Sequence, residues 1–121
     1  MIDVDHFKRF NDSFGHQAGD ELLVTLARLL EAGLRRSEDL VARYGGEEFL
    51  VVLPGADGEA ALEVVAGMRQ AIADSGIGVT ISAGVHSVVP AETATLEDAI
   101  AAADTALYRA KQSGRDRIEV A

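Results

Sequence analysis

Along the 121 residues the spacing of apolar positions changes several times, and each change marks an element. Leu22, Leu23, Leu26, Leu29, Leu30 and Leu34 fall on one face of a 3.6-residue repeat. Residues 20–34 therefore read as an amphipathic helix, with Gly33 at its fraying end. Phe7, Phe10 and Phe14 share that spacing and predict a shorter helix over 5–14, closed by Gly15, with its rings in the core. An Ala-rich stretch over 58–74 places Leu62, Val65, Met68 and Ile72 inward and is stopped by Gly76 and Gly78. Thr95-Leu96-Glu97-Asp98 sets a hydroxyl at an N-cap and an acid three positions on, opening a helix that runs to Gln112 and ends at Ser113-Gly114.

Between the helices lie β-prone runs. Residues 40–44 and 49–53 flank Gly45-Gly46, and paired glycines suit a tight primed turn because they adopt positive φ at little cost. Pro54-Gly55 ends the second run. Residues 77–85 predict a strand with Val79, Ile81 and Ala83 on one face, 86–94 a loop, and 117–120 a short last strand. Residues 1–4 read as the end of a strand, short beside the usual length of about five or six.

The predicted order is β-α-α-β-β-α-β-α-β, without repeat, low-complexity tract or linker. It contains the split β-α-β-β-α-β pattern of ferredoxin-like α+β folds. That layout brings the end of the first strand beside the hairpin, so acidic residues at both places converge.

Composition narrows the function. The length suits one domain with one core. No apolar run approaches the roughly 18–20 residues of a membrane span, and no basic-then-apolar leader opens the chain. There is no cysteine, which removes disulfides and thiolate metal sites and is compatible with a reducing compartment. A net charge of −9 repels polyphosphate and argues against a nucleic-acid partner. A nucleotide escapes that objection when a divalent cation bridges its phosphates to carboxylates.

The chemistry-bearing residues cluster. Asp3-Val4-Asp5 is followed by Lys8 and Asn11, then by His16 and Gly19-Asp20. Gly45-Gly46-Glu47-Glu48-Phe49 projects two carboxylates from a turn. A strand ending in aspartate opposite such a turn offers hard oxygen ligands to a divalent cation. Bland readings compete at each position: acids at a strand end or helix start, Asp20 as an N-cap, His16 as a turn histidine, Glu47 and Glu48 as a solvated hairpin shoulder, Lys111 and Arg115 as dipole compensation, and Arg36 with Asp39 as a surface pair. Because adjacent strand residues point to opposite faces, only one of Glu47 and Glu48 is expected to face a metal, and Glu47 is preferred.

Taken together the blocks resemble the GGDEF family of diguanylate cyclases. Gly45-Gly46-Glu47-Glu48-Phe49 is similar to its signature. Asp3-Val4-Asp5-His6-Phe7-Lys8 with Asn11-Asp12, Gly15-His16 and Gly19-Asp20 is similar to its first block. Ala106-Leu107-Tyr108-Arg109-Ala110-Lys111 with Gly114-Arg115 is similar to its last helix. The resemblance spans essentially the whole chain, read as a single domain over 1–121.

The resemblance implies a nucleotidyl-cyclase or palm-like fold, with a mixed, mostly antiparallel sheet. It implies condensation of two GTP into cyclic di-GMP at the interface of a homodimer, with Mg²⁺ or Mn²⁺, two ions per half-site. Asp3, the Val4 carbonyl and Glu47 would hold metal, and Asp5 is left unassigned. Glu47 would also accept the ribose 3′-hydroxyl proton, with Glu48 as a nearby second carboxylate and Lys8 stabilising phosphate charge. Asn11 and Asp20 would bond guanine, His16 would lie near the nucleotide, and Lys111 and Arg115 would reach terminal phosphates. Arg36 and Asp39, five residues before the glycine pair, would form an inhibitory product site. A silent cyclic di-GMP receptor using that site is the alternative.

Relatives of this kind begin further upstream, with another helix and the first half of strand one, so the chain reads as N-terminally truncated, with an upstream regulatory domain missing. The domain is expected to be cytoplasmic, free or carried by a larger membrane protein, and to make no membrane contact itself.

Overall fold

Ile2–Val4 forms β1, the central strand, in a computed structural model that describes residues 1–121. It is followed by α1 (Phe7–Phe14), α2 (His16–Ala32), β2 (Leu40–Arg43), β3 (Glu48–Val52), α3 (Gly58–Ser75), β4 (Ile81–Val85), α4 (Leu96–Gln112) and β5 (Ile118–Val120). The sheet runs β2-β3-β1-β4-β5. All neighbours are antiparallel except β4 and β5. The first four strands therefore have the ferredoxin-like arrangement predicted above, with β5 added beside β4.

Alternation along β1 divides the core. Ile2 and Val4, each 1% exposed, face α2 and α3 and pack in one cluster with Leu22, Leu26, Leu30, Met68 and Ile72. Met1 faces the other side and packs with Ala103 and Leu107 of α4. Gly84 of β4 lets α4 come close: a Cβ there would meet the Ala103 carbonyl oxygen at 2.0 Å and the Leu107 nitrogen at 2.3 Å. Beside α4 the face stays partly open, in a groove of about 400 Å³ lined by Met1, Leu50, Val52, Leu96 and Ile100 among others. It lies on the face to which Met1 points.

The helix starts obey local chemistry. Asp57 accepts from the Ala60 amide at 2.9 Å to cap α3. The Thr95 hydroxyl accepts from the Asp98 amide at 3.1 Å and donates to the Asp98 carboxylate at 2.8 Å, so the expected cap of α4 forms. No helix is long and apolar enough to cross a membrane.

Four expectations are corrected. First, α2 begins at His16, directly after Gly15, so Asp20 lies inside the helix and does not cap it. Second, Phe14 is 68% exposed: its ring packs at a tilt against Phe10 with centroids 4.8 Å apart, satisfying the four-residue spacing locally rather than in the core. Third, β4 starts at Ile81 because Gly78, at φ 82°, breaks the extended chain before it. Fourth, neither Gly45 nor Gly46 has positive φ, so the hairpin is not closed by a primed turn. The Tyr44 and Gly45 amides both donate to the Glu48 carbonyl, at 2.8 and 3.3 Å, which makes a longer and more tightly wound connection.

Gly84→Ala is expected to destabilise the fold by about 1–3 kcal/mol or more, because the new methyl meets helix backbone rather than a flexible side chain. Thermal unfolding would read this as a lowered Tm, and an unchanged Tm would contradict the close packing of α4.

Candidate active site

The antiparallel pairing of β1 with β3 sets Asp3 directly opposite Glu48. Directly opposed residues share a face, so these two carboxylates point to the α4 side. Glu47 precedes β3, and its carbonyl accepts from the Val4 amide at 3.2 Å, which fastens the hairpin end to β1. Glu47 lies outside the strand, so strand alternation does not decide between Glu47 and Glu48. Val4 itself buries its side chain in the core.

Electrostatics mark the same place. Asp3 is 4% exposed, and burial holds its carboxyl above the ordinary range despite the opposing pull of Lys111. The Lys111 ammonium donates to Asp3 Oδ2 at 2.9 Å. Glu47 is likewise raised, by burial first and then by the negative charge of Asp3. The end of β1 thus concentrates negative charge that one lysine balances incompletely.

A divalent cation fits this donor set. No three His, Asp or Glu side chains are preassembled around one point. Mg²⁺ nevertheless takes one or two carboxylates and completes its shell with water and substrate phosphates. Asp3 and Glu47 supply carboxylates of that kind, and the ammonium seated on Asp3 shows that the position accommodates positive charge.

Asp5, two residues on, is different. It is 4% exposed, and its carboxylate accepts from the Thr80 hydroxyl at 2.6 Å, the Ser82 hydroxyl at 2.6 Å and the Asp116 amide at 2.9 Å. These donors tie β1 to β4 and to the turn after α4.

A second cluster lies where α1 meets α2. Asn11 Oδ1 is buried without a hydrogen-bond partner. The side chain fits because residue 19 is glycine: a Cβ there would fall 1.8 Å from that oxygen. Asp20 is exposed on α2 and lines a cleft of about 400 Å³ with Leu23, Val41, Arg43 and Phe49. His16 and Lys8 are exposed on α2 and α1. The role of Gly19 arises only from the crossing of the two helices, which sequence spacing does not encode.

Arg43 likewise gains its role only in the folded chain. Its Nε donates to the Gly45 and Gly46 carbonyls, at 3.2 Å each, and a terminal guanidinium nitrogen donates to Gly46 at 2.8 Å. It braces the turn that carries Glu47. Arg115 is exposed in the turn after α4 and has φ 65°, whereas Lys111 is half-buried on Asp3.

Arg36 and Asp39 lie on the far edge of the sheet, before β2. Asp39 Oδ2 accepts from the Arg35 and Arg36 amides at 3.2 and 3.0 Å, and the Arg36 guanidinium donates to the Pro54 carbonyl at 3.3 Å. The pair forms a folded turn of its own, separate from the Asp3 cluster.

This is an α+β domain with an acidic strand-end site on which one lysine of α4 is seated. The family described as "Diguanylate cyclase, GGDEF domain" matches residues 1–117, and the chain belongs to that family. It is 44% identical over its whole length to diguanylate cyclase DgcP of Pseudomonas aeruginosa, and covers 19% of that protein. Diguanylate cyclase A of Treponema denticola is 39% identical over 98% of the chain, which covers 33% of that relative. The chain therefore spans a third or less of these two relatives.

Among solved structures, the active GGEEF domain of a diguanylate cyclase from Vibrio cholerae superposes with a TM-score of 0.88 at 35% identity, covering 98% of this chain and 78% of that one. The GGDEF domain of DgcB from Caulobacter crescentus, in complex with c-di-GMP, gives 0.89 at 30% identity, with 98% and 74% covered. P. aeruginosa diguanylate cyclase SiaD, in complex with its activator SiaC, gives 0.91 at 39% identity, with 99% and 48% covered.

A raised carboxyl pKa means that the folded state binds the proton more tightly than the unfolded state. Ionised Glu47 therefore costs stability above its folded pKa, and the cost disappears once pH falls below the ordinary carboxyl range. Without divalent metal, Glu47→Gln is expected to raise Tm at pH 7.5 and to leave it unchanged near pH 3.5. An equal Tm at pH 7.5 would show that Glu47 carries no burial cost.

Proposed function

We propose that this chain is the catalytic domain of a diguanylate cyclase, joining two GTP molecules into cyclic di-GMP with release of two pyrophosphates. The observation that carries the reading is the meeting of Asp3 with the Glu47–Glu48 hairpin end, both Asp3 and Glu47 being carboxyls raised by burial. The reaction needs such a place: a 3′-hydroxyl must lose its proton as it attacks an α-phosphorus, while negative charge collects on the departing pyrophosphate.

Each residue has a task in that reaction. Glu47 accepts the hydroxyl proton, and its raised pKa brings it closer to the working pH than an ordinary carboxylate would be. Mg²⁺ held by Asp3, Glu47 and the Val4 carbonyl would supply Lewis-acid polarisation of phosphoryl oxygens. Lys8 and Arg115 offer charge to the phosphates, and Lys111 stands on Asp3 at the border between carboxylates and phosphates. Glu48 keeps the local field negative enough to favour a divalent ion over the lysine alone.

Asn11 and Asp20 serve guanine. The unpartnered Asn11 oxygen is an acceptor awaiting a donor, and leaving it unmet costs about 1–3 kcal/mol. Guanine presents N–H groups that meet such acceptors, with His16 at the entrance. Gly46 supports the same reading, because a Cβ there would touch nothing within 4 Å. The chain's own packing does not require glycine at that position, whereas close approach of a nucleotide does.

One domain holds one GTP, so two copies facing each other across a two-fold axis complete the product. Arg36 and Asp39 would bind the product, Arg through its fork and Asp as an acceptor, and thereby restrain the enzyme. The cyclic di-GMP complex of the Caulobacter relative favours product binding by this family member too.

Glu47→Gln is expected to lower turnover by about a hundred-fold or more, the scale of a lost general base, with the fold retained. Chromatographic detection of cyclic di-GMP from GTP and Mg²⁺ would read it, and full turnover would refute the assignment. Gly19→Ala is expected to raise the KM for GTP about ten-fold by displacing Asn11, the scale of a good hydrogen bond. Arg36→Ala is expected to straighten progress curves that bend in the parent; superimposable curves would remove the inhibitory site.

A further inference from the structure

Asp5 is buried as deeply as Asp3, yet no cation pairs with it. Its charge is balanced by three donors, of which the Asp116 amide is the most distant in sequence. That amide belongs to a costly turn. Arg115 and Asp116 sit consecutively at φ 65° and 48°, in the left-handed region that residues with a Cβ avoid. Other contacts brace the turn: Arg69 Nε donates to Asp116 Oδ1 at 2.9 Å, Arg117 Nε to the Arg115 carbonyl at 3.0 Å, and the Arg115 amide to the Ala110 carbonyl at 3.0 Å. Asp5 is the buried anchor among these contacts, and it lies two residues from Asp3 on rigid backbone.

We infer that Asp5 is a positioning residue: its carboxylate grips the Asp116 amide, holds the 115–116 turn left-handed, and so fixes where the Arg115 guanidinium stands relative to Asp3. The inference rests on the function proposed above, because the consequence of misplacing Arg115 is read on GTP. The physical logic is independent of that function. Two consecutive left-handed residues persist only where the surroundings over-determine them. A buried carboxylate accepting an amide provides a strong, directional restraint of that kind. Both Asp5 oxygens are already used by β4 and by the turn, which sets Asp5 apart from Asp3 as a metal ligand.

Steady-state kinetics on Asp5→Ala, Asp5→Asn, Arg115→Ala and the Asp5→Ala/Arg115→Ala double variant test this. Asp5→Ala is expected to raise the KM for GTP about ten-fold while the Mg²⁺ concentration for half-maximal rate stays unchanged. Asp5→Asn, which keeps one acceptor oxygen, should recover most of that loss, and adding Arg115→Ala to Asp5→Ala should cost nothing further. Losses that multiply in the double variant, or a shifted Mg²⁺ midpoint, would overturn the inference. Hydrogen exchange of the Asp116 amide in the parent covers the case in which Asp5→Ala does not fold. Strong protection of that amide in the parent, largely kept in Asp5→Asn, supports the anchor, and rapid exchange in the parent overturns it. A parent that makes no cyclic di-GMP sinks the functional reading instead, and the exchange measurement still reports on the contact.

Discussion

The constraint on which the rest depends is the placement of two buried carboxylates, Asp3 within β1 and Asp5 just past its end, beside Ile2 and Val4, which are almost wholly enclosed. Burying a charge is costly unless it is compensated, and the two are compensated differently. Asp3 takes the ammonium of Lys111 from α4, and its carboxyl remains raised. Asp5 takes two hydroxyls and an amide and is fully occupied. One strand end therefore carries a carboxylate held by exchangeable charge beside one locked into the scaffold.

The surrounding elements follow from supplying those partners. α4 must lie close to β4 for Lys111 to reach Asp3, and Gly84 permits that approach. β4 must place Ser82 opposite β1, which its antiparallel register does, with Thr80 just ahead of it. The hairpin must meet β1 at Asp3, and the Glu47 carbonyl on the Val4 amide secures it there, with Arg43 holding the two glycine carbonyls. The acidic pair at the hairpin end thus sits on braced backbone rather than on a free loop, as preorganised charge chemistry requires.

Much of this was legible in the residues. The leucine repeat of α2, the capped start of α4 and the hairpin around Gly45-Gly46 each have a local cause, and local causes can be read from spacing. What failed had a non-local cause. Phe14 has the right period for a core residue, but which helices flank α1 decides whether its face is covered. The start of α2 moved to His16 because Gly15 alone separates the two helices, a geometry that the leucine period beginning at Leu22 does not encode. The primed turn failed because Arg43 and the register with Glu48 wind the connection another way. Asp5 differs from Asp3 only through Thr80, Ser82 and Asp116, which lie some 75 to 111 positions away in sequence.

The net charge of −9 finds its place in the same arrangement. An acidic surface disfavours polyphosphate at long range, but at physiological salt that repulsion fades beyond about 8 Å. Within that distance the local balance decides, and here Lys111 sits on Asp3 itself, on the helix that ends a few residues before Arg115. On the proposed function, a magnesium-bound nucleotide would bring its own positive charge to Asp3 and Glu47 and its negative charge to the lysine and arginine. An unaccompanied phosphate chain offers only the second half of that match. On that reading the domain's acidity would act as a filter, admitting phosphate that arrives with its metal.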